Sequence, residues 1–134
     1  MSSLYAFLHP VAVQEEKEVF ISNRFRDENG EVVPFKIRSL AQEETEKLAK
    51  QSRKTRKVNG QNIEYVDDIE LSHRIAVAGT VYPDFADSEL CQAYGTLDPL
   101  EVVGKMLKSG EFKKLMDEIS DFSGYDDLEE AAKN

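Results

Sequence analysis

The chain has little of what stabilises small secreted proteins. It has one Cys in 134 residues, so no internal disulfide can form. This excludes a disulfide-stapled secreted scaffold and fits a reducing compartment. It has no Trp, only two His and no apolar run of about 18 residues, so the sequence predicts no membrane-spanning helix. The start, Met1 to Pro10, has no charged leader and no long apolar region. It does not read as a signal peptide. Positive charge is also scarce, with 17 basic residues against 26 acidic and a net charge of −9. Such a chain repels nucleic acid unless its charge is segregated. What is present is a 40% hydrophobic fraction. That is below the usual ~45–50% but enough for one small core at this length.

The charge is segregated. Residues 36–60 hold eight basic and three acidic residues, whereas residues 61–134 hold six basic and 17 acidic. The basic stretch peaks at Arg53-Lys54-Thr55-Arg56-Lys57, ahead of Asn59-Gly60. It reads as a mobile basic loop closed by an Asn-Gly turn. The loop is either a solvated connection or a contact for an acidic partner. No aromatic residue interleaves with its cations, so nucleic acid is not expected as a partner.

Local patterns predict an α+β fold, an N-terminal β-hairpin followed by a mostly helical bundle of four to five helices. Residues 1–15 form an apolar lead-in of Leu4, Tyr5, Phe7, Leu8, Val11 and Val13, broken by Pro10. It either docks on its own domain or serves association. Residues 16–124 read as one α+β domain, and 125–134 as an acidic, frayed tail. Over residues 18–38 apolar side chains alternate on both sides of Asn29-Gly30, a hairpin signature. Pro34 marks the return strand as an edge or as open on one side. Ser39, Asp67, Asp87 and Asp98 read as helix N-caps, and Pro99 as an N1 residue. Residues 69–78 suggest a central helix ending near Gly79, with a strand over 75–81 as the rival. Ser109-Gly110 should break the last long helix. Its restart places Phe112, Leu115, Met116, Ile119 and Phe122 on one face.

No chemical site emerges. There is no phosphate loop, zinc-binding His pair, Cys-x-x-Cys or nucleophile elbow. His73 and Cys91 read as structural residues. No cofactor or metal is expected. Asp126-Asp127 reads as solvated tail rather than a cation site.

The order of these residues is similar to that of a known family. Ser22-x-Arg24-Phe25-x-Asp27-x-x-Gly30-x-x-Val33-Pro34-Phe35-x-Ile37-Arg38 resembles the front half of the XkdN-like phage tail assembly chaperones. Pro83-Asp84-Phe85, Ala93-Tyr94-Gly95, Asp98-Pro99 and Gly110-Glu111 resemble the back half. The likeness spans about residues 4–124 and rests on spacing, since no single motif is specific. It implies a non-enzymatic protein of tailed phages or prophages of Gram-positive hosts. Such a protein keeps the tape-measure protein soluble in the host cytoplasm while tail-tube subunits assemble, and is absent from the virion. Leu4, Tyr5, Phe7 and Leu8, with Arg53, Lys54, Arg56 and Lys57, are the candidate partner or self-association contacts. The alternatives are a structural tail or connector protein retained in the virion, or a nucleic-acid-associated regulator using residues 53–57.

Overall fold

The expected first hairpin closes only at its base and its tip. In the computed structural model, which describes residues 4–125, β1 (Glu16–Val19) pairs antiparallel with β2 (Phe35–Arg38), Glu16 opposite Arg38. Near the far end of the loop between them, Arg26 bridges Val32 across a turn in which Gly30 has φ +83°. Asp27 Oδ1 holds that turn by accepting from the Asn29 and Glu31 amides. Phe35 and Ile37 on β2 are buried, while Lys36 between them is exposed, as the period of two requires.

β2 is not an edge strand. It is the centre of a three-stranded sheet in the order β1-β2-β5, with β5 at Thr80–Tyr82. Pro34 is tolerated because it precedes the first paired residue and costs no ladder bond. The buried face of this sheet lies on α6 (Ser109–Phe122). Lys17 of β1 ties the two layers together, reaching Glu118 at 3.6 Å and lying 5.2 Å from the Phe122 ring centre.

Among the described residues, five helices follow the first hairpin. They are α2 (Gln42–Gln51), α3 (Asp68–Gly79), α4 (Ser88–Ala93), α5 (Pro99–Met106) and α6. A one-turn α1 (Tyr5–Leu8) precedes β1. The central helix is α3, which packs on α2, α5 and α6. Ala76 of α3, Val102 and Val103 of α5, and Leu115 and Ile119 of α6 are almost fully buried. Phe85 plugs this core from the connector after β5. Asp67, Asp87 and Asp98 cap α3, α4 and α5 by accepting from backbone amides, as their positions predict.

Several boundaries differ from expectation. The N-cap of α2 is Ala41, not Ser39. Glu44 substitutes for the missing side-chain cap by accepting from the Ala41 amide. Glu44 is itself held by the Arg38 guanidinium, which also donates to the Ala78 carbonyl. The break before α6 falls at Leu107-Lys108, both extended, so Ser109 and Gly110 open α6 rather than interrupt it. Arg24 secures this break. It donates to both carboxylate oxygens of Glu111 and to the Met106 carbonyl. α3 runs through Gly79 and only then becomes β5, so the rival strand over 75–81 forms at its end alone.

The largest difference concerns residues 53–57. They are not a loop but most of β3 (Arg53–Val58), which pairs with β4 (Gln61–Val66) in a second, separate hairpin. The acidic tail, Asp126-Asp127 included, lies outside the described residues apart from Tyr125.

Candidate interaction surfaces

Asn59 and Gly60 build the second hairpin. Their φ values of +52° and +79° suit a two-residue turn whose twist matches paired strands. Six residues on each side then pair, from Val58 opposite Gln61 to Arg53 opposite Val66. Directly opposed residues share a face. One face therefore carries Lys54, Arg56 and Val58 with Tyr65, Ile63 and Gln61. The other carries Arg53, Thr55 and Lys57 with Val66, Glu64 and Asn62. Every residue of both strands is exposed, so the ribbon projects from the body and is covered on neither side.

Its root is fastened by ion pairs to α3. Lys54 Nζ lies 3.0 Å from Asp67 and 3.4 Å from Glu70, both at the start of α3. The hydrogen bond to Asp67 raises the Lys54 pKa. The Asp67 carboxyl is lowered, first by the Glu70 amide it accepts from and then by Lys54. Among the described residues, Arg53, Arg56 and Lys57 form no ion pair. The Arg56 guanidinium lies 5.1 Å from the Tyr65 ring centre, a cation–π distance. The Lys54 face runs down into a groove whose rim holds Asp67, Glu70, Asp98 and Glu101, with Ile69 74% exposed beside them.

The N-terminal arm is a second surface. Leu4, Tyr5, Phe7 and Leu8 are all more than half exposed, Phe7 at 79%. Val11 and Val13 continue the exposed run towards β1. No residue of α1 is buried. The arm and the ribbon are separate elements, so the two predicted sets of contacts are not one site.

His73, on the floor of the groove, and Cys91 serve the fold. His73 Nδ1 donates to the Leu100 carbonyl at 3.2 Å, and its ring meets Phe112 edge-on. Cys91 is buried, with its Sγ 3.4 Å from the Phe85 carbonyl. Among the described residues, no three His, Cys, Asp or Glu side chains gather as a metal site. No helix among them is long and apolar enough to cross a membrane. Reading the sequence missed the β4 face and the groove rim. The available signal was Ile63-x-Tyr65, which alternates across Asn59-Gly60 from Arg56-x-Val58.

The family model of the phage XkdN-like tail assembly chaperone proteins matches residues 4–133. The chain belongs to the XkdN-like phage tail assembly chaperone family. Two proteins of Bacillus subtilis (strain 168) are similar along nearly their whole lengths. YqbN is 40% identical over 126 residues, 90% of this chain and 85% of YqbN. XkdN of the phage-like element PBSX is 36% identical over the same shares. The crystal structure of the protein YqbN superimposes with a TM-score of 0.71 at 31% identity, covering 93% of this chain and 98% of that one. Membership in this chaperone family implies a non-catalytic role, with phage tail proteins as partners.

Proposed function

We propose that this chain keeps the phage tape-measure protein soluble in the host cytoplasm until tail-tube subunits enclose it, and that it leaves before the virion is complete. The observation that carries this reading is the exposed apolar arm on an acidic body, in a chain of this family. Fully burying a large apolar side chain contributes roughly 1.5–3 kcal/mol. An arm with Leu4, Tyr5, Phe7 and Leu8 exposed therefore has contact energy to offer an apolar client. The net charge of −9 favours solubility of the complex. Arg53 and Lys57, on the polar face of the ribbon, supply the complementary contact for acidic stretches of the client.

The test is co-expression with the tape-measure protein encoded beside this chain. The full chain should raise the soluble fraction of the client and co-purify with it. A chain lacking residues 1–13 should lose both effects while remaining folded. Unchanged co-purification after that deletion would refute the role given to the arm. Detection of the chain in purified virions would refute its release and favour a structural tail protein.

A further inference from the structure

We infer that β1 is a docking edge that receives an extended client segment as a fourth strand, with a basic residue of that segment opposite Glu18 and an apolar one against Phe20. The inference rests on the client-holding reading above, and it adds where on the chain, and in what form, the client is held.

The sheet order β1-β2-β5 gives β1 a neighbour on one side alone. Which of its backbone groups are open follows from the ladder. The Ser39 amide donates to the Glu15 carbonyl. Glu15 thus lies opposite Ser39, in the register that sets Glu16 opposite Arg38 and Val19 opposite Phe35. Hydrogen-bonded and non-hydrogen-bonded pairs alternate along an antiparallel ladder. Lys17 and Val19 therefore bond to β2, while the N–H and C=O groups of Glu16 and Glu18 turn outward. Both glutamates are exposed. Among the described residues, no backbone group outside β2 bonds to β1.

Natural sheets guard their edges with Pro, bulges, short strands or charge, because an open edge invites pairing. The opposite edge, β5, is guarded by its backbone. It has three residues, a shift of register that leaves Val81 without a partner on β2, and Pro83 directly after it. β1 has four regularly paired residues, no Pro and no bulge. Its guard is charge. Glu16, Glu18 and Phe20 are exposed in alternation with the more buried Lys17, Val19 and Ile21. Glu16 meets Lys36 at 3.3 Å, whereas Glu18 forms no ion pair among the described residues. A second copy is a poor occupant. Pairing β1 with itself about a two-fold axis normal to the sheet keeps each residue on its own face. Registers centred on the strand then oppose Glu16 to Glu18, or one glutamate to its own copy, and like charges directly opposite are destabilising. A client strand with Lys or Arg opposite Glu18 gains an opposite-charge pair instead. An apolar residue two positions along that strand covers Phe20, which is 58% exposed. The exposed Val11 and Val13 lead into this edge, so a segment lying along β1 also meets the arm.

The test is amide hydrogen exchange on the full chain, free and co-purified with the tape-measure protein encoded beside it. In the free chain the Glu16 and Glu18 amides should exchange faster than those of Lys17 and Val19. In the complex both should slow about tenfold or more. A complex that leaves them unchanged would overturn the docking edge and spare the client-holding reading. If no complex forms, that reading fails, and peptides alternating Lys with Val or Glu with Val decide the edge. Protection of Glu16 and Glu18 by the lysine peptide alone would uphold it; protection by neither peptide, or by both alike, would overturn it. Glu18→Pro removes an outward N–H but no ladder bond, so it should weaken client binding about tenfold with the fold intact. Glu18→Lys should weaken it about as much through charge, whereas Glu28→Lys, an equal change in an exposed turn, should not. Equal weakening by Glu28→Lys would reduce the effect to net charge and overturn the charge pairing. Protection of these amides in the free chain that rises with its own concentration would assign the edge to a second copy and overturn the proposal.

Discussion

Adding one methyl group at Gly79 tests the packing on which the helical layer depends. Gly79 is the last residue of α3 and is buried where α3 meets α6. A Cβ there would lie 2.8 Å from Ile119 Cγ2, 2.9 Å from Cδ1 and 3.2 Å from Cγ1. Two effects of Gly79→Ala oppose each other. In a helix interior Ala is favoured over Gly by up to about 1 kcal/mol. Against this, overpacking a filled core costs about 1–3 kcal/mol. Ile119 is only 1% exposed, and its Cγ2 is fixed to Cβ, so rotating Cδ1 away does not relieve the closest contact. Relief requires a shift of α6 itself, so overpacking should win. The expected net loss is about 1–2 kcal/mol, or roughly 4–8 °C in melting temperature for a chain of this size. Ile119→Ala alone should cost about 2–5 kcal/mol by leaving a cavity. In the double variant the new methyl enters that cavity, so the two losses should fall short of additive by about 1–2 kcal/mol. Chemical denaturation of all four proteins measures the cycle. A neutral or stabilising Gly79→Ala with no coupling to Ile119 would refute the close approach of α3 and α6.

Gly60→Val forces a β-branched residue to adopt a φ of +79°, which should cost about 1–2 kcal/mol. Because the ribbon is fastened at its root, its amides should lose exchange protection while the melting temperature of the helical layer barely moves. Glu111 is held at a pKa of about 2, chiefly by the hydrogen bond from Arg24. A depressed carboxyl stabilises above its unfolded pKa, and that contribution is lost as pH falls from about 5 towards 2. Arg24→Ala should therefore flatten the acid limb of stability over that window, and a limb of unchanged steepness would count against the pair. Deleting residues 1–13 should leave the melting temperature unchanged, since no α1 residue is buried. A marked drop would mean that the arm docks on its own chain.

Local signals were legible wherever one residue type had one physical use. The aspartate caps and Pro99 at the start of α5 follow from neighbouring residues alone. Ser39 misled because a tertiary contact decided the matter, with Arg38 positioning Glu44 to serve Ala41. Pro34 misled because its cost depends on which residue pairs first, a question of register. The basic stretch misled most. Four cations in five residues read as solvated loop, and β propensity is weak for Lys and Arg. The Asn59-Gly60 turn and the alternation on β4 override that preference. The groove rim was not legible, because Asp67 and Glu101 are 34 positions apart and meet only through the packing of α3 on α5.

Pairing the basic stretch as a strand also divides its charge into two sets. A loop would present Arg53, Arg56 and Lys57 as one averaged cluster, so reversing any of them would have a similar effect. In a strand Arg53 and Lys57 point to one face and Arg56 to the other. If Arg53 and Lys57 meet acidic stretches of the client, as proposed above, reversals on the two faces should separate. Arg53→Glu and Lys57→Glu, made singly, should each weaken client binding and lower its salt dependence. Arg56→Glu, on the opposite face, should leave both unchanged. The comparison is internal, since each of the three single variants changes the net charge by the same amount within the same six residues. If client affinity fell alike for all three substitutions, net charge alone would account for the effect. The two-faced ribbon would then have no functional meaning.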